Sequence, residues 1–262
     1  MRLLVTGGCG FIGSHFIREV LKKKNVELVV NLDALTYSGN LGNLTEIEKN
    51  EKYVFVHDTI NNQEKIKKIL DKYNIETIVN FAAESHVDRS INSVKPFIET
   101  NIDGTRSILE AILSQRNSGK EVNLVHISTD EVYGSLGPYD PPFTELNGLD
   151  PRNPYAATKA ASDMLVNSFV NTYDISAIIT RCSNNYGPNQ FPEKLIPLII
   201  LNANEKKNLP VYGDGKQIRD WIHVSDHVKG IYLVIVELNK GSLKSGEVIN
   251  FGCDNEKMNI DI

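Results

Sequence analysis

Cysteine is scarce: Cys9, Cys182 and Cys253 are the three in 262 residues, far apart and with no Cys-x-x-Cys pair. A disulfide framework and a zinc knuckle are disfavoured, and a reducing compartment fits. A basic excess is missing too. Lys and Arg total 28 against 33 Asp and Glu, a net charge of −5. That argues against a nucleic-acid partner while leaving room for a local basic pocket and an anionic small molecule. Long apolar runs are also lacking. The amino end offers four such residues before a glycine turn, too short for a signal peptide, and residues 195–201 are broken by Pro197. Nothing approaches the roughly 20 apolar residues of a membrane span. A cytoplasmic chain with no membrane partner is the expectation. No internal repeat or low-complexity segment is visible.

What is present is an ordinary globular balance, 41% hydrophobic and 23% charged, which excludes wholesale disorder. The length allows one large domain or two small ones, with a core that needs no staples. Short apolar, β-branched runs recur at 3–6, 28–32, 53–56, 77–80, 122–127 and 176–180. They predict strands buried on both faces, as in a parallel sheet. Helical patterns lie between them, at 11–24, 63–73, 98–115 and 154–173. The alternation predicts an α/β fold, a Rossmann-type doubly wound sheet. After Gly187 the punctuation by Pro188, Pro192, Pro197 and Pro210 breaks the alternation. The expected domains are 1–181 for dinucleotide binding and 182–262 for a smaller, partly interleaved substrate lobe.

Gly7, Gly10 and Gly13 sit between the first strand and the first helix. That spacing lets the backbone turn sharply and approach a pyrophosphate, with the free N–H groups of the helix start facing the anion. Alone the glycines are weak evidence; the strand before and helix after strengthen them. Asp33 follows Gly13 by 20 residues at the end of the second strand. There a carboxylate accepts ribose hydroxyls and repels a 2′-phosphate, which favours NAD over NADP. The alternative is a turn or capping aspartate.

Tyr155 and Lys159 stand four apart at a helix start, on one face. A lysine ammonium near a phenol lowers its pKa, so the tyrosinate can take a proton from a sugar hydroxyl. The same spacing at Tyr212 and Lys216 falls in a Tyr-Gly-Asp-Gly-Lys turn and lacks the helical face. Asp130 and Glu131 follow the fifth strand, at the sheet edge where ligands bind. Close like charges separate their pKa values, so one can stay protonated while the other works as a base. A solvated, capping acidic pair is the alternative. His223 and His227, i and i+4, lack a third ligand and read as structural, so no metal is expected. Phe97, Phe169 and Trp221 read as core.

With these motifs in hand, the chain resembles the extended short-chain dehydrogenase/reductases. Within them it is most similar to the nucleotide-sugar 4,6-dehydratases that act on dTDP-glucose. The resemblance rests on residues 6–14, 35–40, 82–91, 100–105, 128–134, 155–159, 184–188, 192–197 and 219–227, spread over the whole chain. It implies that Tyr155 deprotonates the sugar 4-hydroxyl while NAD takes the C4 hydride, and that Thr129 holds that oxygen. Glu131 then removes the C5 proton, Asp130 protonates the departing 6-hydroxyl, and the hydride returns to C6. Lys159 also binds the nicotinamide ribose. The resemblance further places Phe11, Ile12, Leu35, Thr36, Asp58, Thr59, Ala82, Ala83, Thr100 and Asn185 along NAD. It places Ser85, Asn184, Glu193, Lys194, Tyr212, Arg219 and Asn259 near the sugar nucleotide. Arg219 suits a pyrophosphate by charge and fork geometry, the alternative being an ion pair with Asp214 or Asp220.

The resemblance implies a homodimer paired through the long helices. It also implies a lobe that continues beyond Asn259, so that the smaller lobe is incomplete at Ile262. A UDP-glucose dehydratase shares the acidic pair. A 4-epimerase or decarboxylase shares the scaffold without needing it, and a non-catalytic NAD-binding regulator would need neither Tyr155 nor the acids.

Overall fold

The structure, a computed structural model, describes residues 1–262 except Pro138 and Tyr212. Among the described residues one sheet has seven parallel strands. They are β1 (Arg2–Thr6), β2 (Leu28–Asp33), β3 (Tyr53–His57), β4 (Thr77–Asn80), β5 (Asn123–Thr129), β6 (Ala177–Cys182) and a late strand, Val248–Phe251. Their spatial order is β3-β2-β1-β4-β5-β6 and then the late strand, all in parallel register. The order reverses between β1 and β4, and an open α/β sheet binds ligands at the carboxyl side of such a switch point.

The five inner strands are buried on both faces because their alternate residues feed two different cores, whereas the edge strands β3 and Val248–Phe251 are only partly covered. Leu4, Val30, Ile78, Leu124 and Ile179 pack beneath α2 (Gln63–Tyr73) and the two long helices that follow it. Leu3, Val5, Val29, Val79, Val125 and Ile178 face the other way, against α1 (Phe11–Leu21) and the late helix Val224–Asn239. Each such side chain contributes about 1.5–3 kcal/mol on burial, so the two-sided apolar runs fix the layering.

Helix ends follow local chemistry. Asn62 caps α2 by accepting from the Lys65 amide at 3.1 Å, and α2 stops at Asn74, which is left-handed with φ 48°. The pattern at 11–24 predicts a longer α1 than is found. The helix ends at Leu21, where the Lys22 amide bonds back to the Glu19 carbonyl and the Lys23 amide to that of Val20.

The long pattern at 98–115 is also not one regular helix. Past α3 (Val87–Asn92), the short α4 (Lys95–Phe97) widens into a π-helical turn, Ile98–Gly104, before α5 (Thr105–Asn117). The wide turn lets Asn101 reach inward. Its side chain accepts from the Glu84 amide at 2.9 Å and donates to the Glu84 carbonyl and to Thr158 Oγ1. Helix α6 (Pro154–Tyr173) starts with Pro154 at its first position, and the Asn153 side chain accepts from the Ala156 amide at 2.8 Å.

After Cys182 the chain divides its elements. β7 (Asn184–Tyr186), β8 (Ile218–His223) and Glu256–Met258 make a small second sheet with β8 in the middle. α7 (Leu195–Asn204) lies between β7 and β8 in the chain and has no buried residue. α8 (Val224–Asn239) and β9 (Val248–Phe251) instead return to the large sheet, and β10 (Glu256–Met258) follows. Among the described residues, no helix is long and apolar enough to cross a membrane.

Candidate active site

At the carboxyl edge of the large sheet lies a cleft of about 330 Å³. The sequence predicts a strand ending at Ile127, but β5 runs two residues further, to Thr129. Both faces of those two residues are covered, so the ladder with β6 continues through Ser128 and Thr129. Asp130 to Tyr133 then coil as one tight turn capped by Thr129. This delivers Asp130 and Glu131 onto the cleft wall beside Tyr155 and Lys159 from α6. The Thr129 hydroxyl donates to Asp130 Oδ1 at 3.2 Å and accepts from the Glu131 amide at 3.3 Å. Asn153 Nδ2 donates to Glu131 Oε2 at 3.0 Å, so the residue that caps α6 also aims the second acid.

The electrostatics separate these groups. Burial, reinforced by the Glu131 carboxylate, pushes Asp130 up to about 6, which favours a protonated acid. Burial pulls the Lys159 ammonium down to about 8, and its Nζ donates to the Ile127 carbonyl at 2.8 Å. From sequence, Lys159 is expected to lower the Tyr155 phenol. The structure differs: burial and then the Glu131 charge hold the phenol well above its usual value, and Thr129 is what pulls it down. A phenol 8% exposed and close to two acids loses more by desolvation than a lysine bonded elsewhere returns.

The glycine turn has the geometry of a phosphate cradle. A Cβ on Gly7 would lie 2.7 Å from the Ala82 amide nitrogen, and one on Gly13 would lie 2.4 Å from the Gly7 carbonyl. These two bare positions are demanded by packing. At Gly10 the nearest protein atom to an added Cβ is the Gly7 oxygen at 3.3 Å, so this bareness serves the cleft side. Gly10 caps α1 with no side chain, leaving the helix start open to an anion. Asp33 is buried at the far end, accepting from the Cys9 and Leu35 amides at 2.8 Å each. Burial raises its carboxyl, and those amides pull it back.

The cleft gathers most of the expected residues. Gly7, Gly10, Phe11, Ile12, Gly13, Asp33, Thr36, Asp58, Thr59, Ala82, Ala83, Thr100 and Asn185 line it, as do Ser85, Asn184, Glu193 and Lys194. Leu35, Arg219 and Asn259 are not on its wall. Leu35 is left-handed (φ 51°) and packs into the core beside α1. Arg219 is exposed and donates to its neighbour's carbonyl, Ile218 O, at 2.8 Å. The Asn259 backbone amide bonds to Gln217 O, just ahead of β8. Tyr212 lies outside the described residues.

Other groups on the wall were not anticipated. Ser128 Oγ, Ser183 Oγ and Gln190 Oε1 are buried there without a hydrogen-bond partner among the described residues. Tyr37 donates to Glu193 Oε1 at 3.2 Å and stacks edge-on with Phe191. Arg89 bonds Glu193 Oε2 at 3.2 Å. Only Asn153, ahead of Pro154, carried a readable signal, that of a helix cap. His227 is buried, kept neutral by burial and lowered to about 4, and bonds Asn185 Oδ1 at 2.9 Å. His223 caps α8 through the Ser225 amide.

A seven-stranded Rossmann sheet with a Tyr-x-x-x-Lys pair at its carboxyl edge defines the class, an extended short-chain dehydrogenase/reductase fold. The chain belongs to the family described as GDP-mannose 4,6 dehydratase, whose model matches residues 4–262. It is 48% identical over 266 aligned positions to a dTDP-glucose 4,6-dehydratase of Neisseria meningitidis, covering 100% of this chain and 73% of that one. A solved dTDP-glucose 4,6-dehydratase of Bacillus anthracis, in complex with NAD, superposes with TM-score 0.88 at 47% identity, over 100% of this chain and 78% of the other. A UDP-glucuronic acid 4-epimerase of Bacillus cereus superposes equally well, TM-score 0.89, at 29% identity, over 100% and 80%.

Proposed function

We propose that the chain is an NAD-dependent dTDP-glucose 4,6-dehydratase, a hydro-lyase yielding dTDP-4-keto-6-deoxyglucose. The observation that carries this is the Asp130–Glu131 pair on one wall with Tyr155, with Asp130 held near 6 and Glu131 aimed by Asn153. A 4-epimerase has no use for such a pair. The residues fit NAD. Gly10 leaves the pyrophosphate approach open, the start of α1 offers free amides, and the spare lone pairs of Asp33 suit ribose hydroxyls. Phe11, Ile12, Thr36, Asp58, Thr59, Ala82, Ala83, Thr100 and Asn185 would line it. When bound, NAD accepts a hydride from the sugar C4 and returns it to C6.

The chain's own residues do the proton work. Tyr155 takes the 4-hydroxyl proton, and Thr129 orients that oxygen. The resulting ketone acidifies C5–H, which Glu131 removes as general base. Asp130, protonated below about 6 in the free enzyme, gives its proton to the departing 6-hydroxyl, so one water leaves. Ser85, Asn184, Glu193, Lys194, Tyr212 and Asn259 would hold the sugar nucleotide, with Arg219 suited to its diphosphate by charge. Residues 1–181 serve as the NAD domain and 182–262 as a substrate lobe partly interleaved with it in this reading, since α8 and β9 join the large sheet. The setting is the cytoplasm and the assembly a homodimer.

The test is to incubate the chain with NAD and a panel of nucleotide-glucoses and to weigh the products. A product from dTDP-glucose lighter by one water supports the reading. An unchanged mass with C4 inverted replaces it with an epimerase. NAD binding without any turnover replaces it with a regulator.

A further inference from the structure

Behind the Tyr155–Lys159 pair, α6 carries a third residue on the same face. Asp163 is one turn beyond Lys159 and 0% exposed, the most deeply buried carboxylate near the site. A carboxylate in that position costs several kcal/mol unless it is compensated. Arg181 on β6 supplies one compensation, its Nε donating to Asp163 Oδ2 at 3.0 Å. The same guanidinium lies over the Tyr133 ring, 4.7 Å from its centre, which fixes Arg181 in place.

The other oxygen, Asp163 Oδ1, makes no full hydrogen bond among the described residues; burial raises the carboxyl, and the Lys159 and Arg181 charges with the nearby Ser128 hydroxyl pull it back. His126 approaches it at 3.7 Å through Nε2, but His126 is not its counter-ion. Burial, and then the Lys159 charge, hold that imidazole well below its usual value, so it is neutral. Its bonds are consistent with one tautomer. Asn80 Nδ2 donates to Nδ1 at 3.2 Å, and Nε2 donates to Ser162 Oγ at 3.1 Å. The Ser162 hydroxyl in turn donates to the Lys159 carbonyl at 2.8 Å. The imidazole therefore fixes the backbone under Lys159 without supplying charge.

The surrounding charges can be counted by element. Around Lys159, α6 contributes Tyr155 and Asp163, and β5 with the turn after it contributes His126, Asp130 and Glu131. From β6 come Arg181 and Cys182. Tyr155, His126 and Cys182 are neutral, Cys182 because burial pushes it up to about 12. Asp130 is the acid raised toward neutrality, and Glu131 faces the cleft. Behind the lysine lies one buried carboxylate, Asp163, hydrogen-bonded to Arg181 and one helical turn from Lys159, whose own Nζ is bonded to the Ile127 carbonyl.

We propose that Asp163 is the counter-ion that keeps Lys159 an ammonium, which makes it a positioning residue for the Tyr155 step. This deepens the dehydratase reading and rests on it for the catalytic consequence. Burial alone drives the lysine toward the neutral amine, and Asp163 is the largest influence opposing it. A neutral Lys159 could neither steady a tyrosinate nor donate to a ribose with full charge.

The test reads the lysine directly as well as turnover. Full-length protein labelled with ¹⁵N-lysine is titrated, and the Lys159 side-chain resonance is assigned by its disappearance in Lys159→Met. Asp163→Asn keeps an acceptor for Arg181 but removes the charge. Lys159 should then titrate about 1–3 pH units below the wild-type value near 8. The alkaline limb of kcat/KM on dTDP-glucose should move down with it, and Asp163→Glu should restore both. If Asp163→Asn alone does not fold, Arg181→Met and the double variant Asp163→Asn/Arg181→Met are compared. Loss of the Arg181 charge raises Lys159 in both, so the double variant should titrate about 1–3 pH units below Arg181→Met. A Lys159 titration unmoved by Asp163→Asn, or equal in Arg181→Met and the double variant, overturns the proposal. Absence of turnover in the wild type would overturn the dehydratase reading alone, since the resonance still reports on Asp163.

Discussion

The two sides of the cleft are built by different means. On the β5–α6 side, Thr129, Tyr155 and Lys159 are each under 9% exposed. They are held by strand ladders, a helix cap and buried hydrogen bonds. On the side formed after Cys182, Glu193 and Lys194 sit on an irregular segment and Arg219 is exposed on the small sheet. The first side resists any displacement of its groups, which suits proton transfers that fail when an atom moves by an ångström. The second can lose a side chain without loosening the core, which suits contacts that only hold a substrate. Changes on the first side should therefore alter rate and stability together, whereas changes on the second should alter binding alone.

The largest expected effect comes from the two proton-transfer groups of the rigid side. Glu131→Gln keeps the shape but cannot act as a base, so elimination should fall about 10²–10⁴-fold. Oxidation at C4 stays possible, and a stable NADH absorbance should build up after dTDP-glucose is added. Tyr155→Phe should lose as much activity with no absorbance band, because the first step is blocked. Equal and silent losses in both would remove Glu131 from the proton transfer and leave it a purely structural part of the wall.

Asp130 offers a stability test on the same side. Its carboxyl is raised from 3.8 to about 6 in the folded chain. Between those values the folded state binds more protons than the unfolded one, so stability falls as pH rises through that window. The cost is complete above about pH 6 and absent below about pH 4. Asp130→Asn removes it. The variant should be more stable than wild type at pH 7.5, by at most about 3 kcal/mol, with no gain at pH 4 and with dehydration abolished. Denaturant melts at the two pH values check this. A variant less stable at both would show that Asp130 holds the wall together.

These residues also mark how far the sequence alone was legible. The parallel sheet, the glycine turn and the Tyr155–Lys159 spacing were readable because each depends on period, turn chemistry or a fixed helical offset. Asp130–Glu131 was readable as a pair, but its geometry was not. That the strand continues to Thr129 depends on its pairing with β6, a contact about fifty residues away in sequence. The lowering of Tyr155 by Lys159 was inferred from proximity along a helix. Burial, which no local pattern encodes, decides that balance instead. The π-helical turn at Ile98–Gly104 was hidden for a related reason, since its apolar period resembles an ordinary helix and only the demand for Asn101 at the Glu84 loop distinguishes it. Arg219 stands out in the sequence by its charge, whereas its exposed position is a tertiary result.

On the looser side, Arg219→Ala should separate binding from folding. The guanidinium makes no side-chain ion pair among the described residues, so the change in stability should stay within about 0.5 kcal/mol. Loss of a charge-assisted contact with a diphosphate is worth about 1.5–3 kcal/mol, or about 10–100-fold in KM, with kcat preserved. A fall in kcat with KM unchanged would place Arg219 among the reacting groups and collapse the distinction between the two sides.

The smallest effect is expected where the two sides are tied together. Tyr37, from the loop after β2, donates to Glu193 Oε1 at 3.2 Å, and its ring receives the Arg89 guanidinium at 3.7 Å. Burial, and then the Glu193 charge, hold its hydroxyl above its usual value, so it remains a donor at every working pH. Tyr37→Phe keeps the ring and its stacking on Phe191 but deletes that one bond. Glu193 retains Arg89 and the His86 contact at 3.4 Å, so no buried charge is stranded. The loss should be about 0.5–1.5 kcal/mol of stability, the net worth of one hydrogen bond. If the tie only joins two independently built walls, kcat should stay within about twofold of wild type. A larger fall in kcat would mean that the loose side helps to set the geometry of the rigid one.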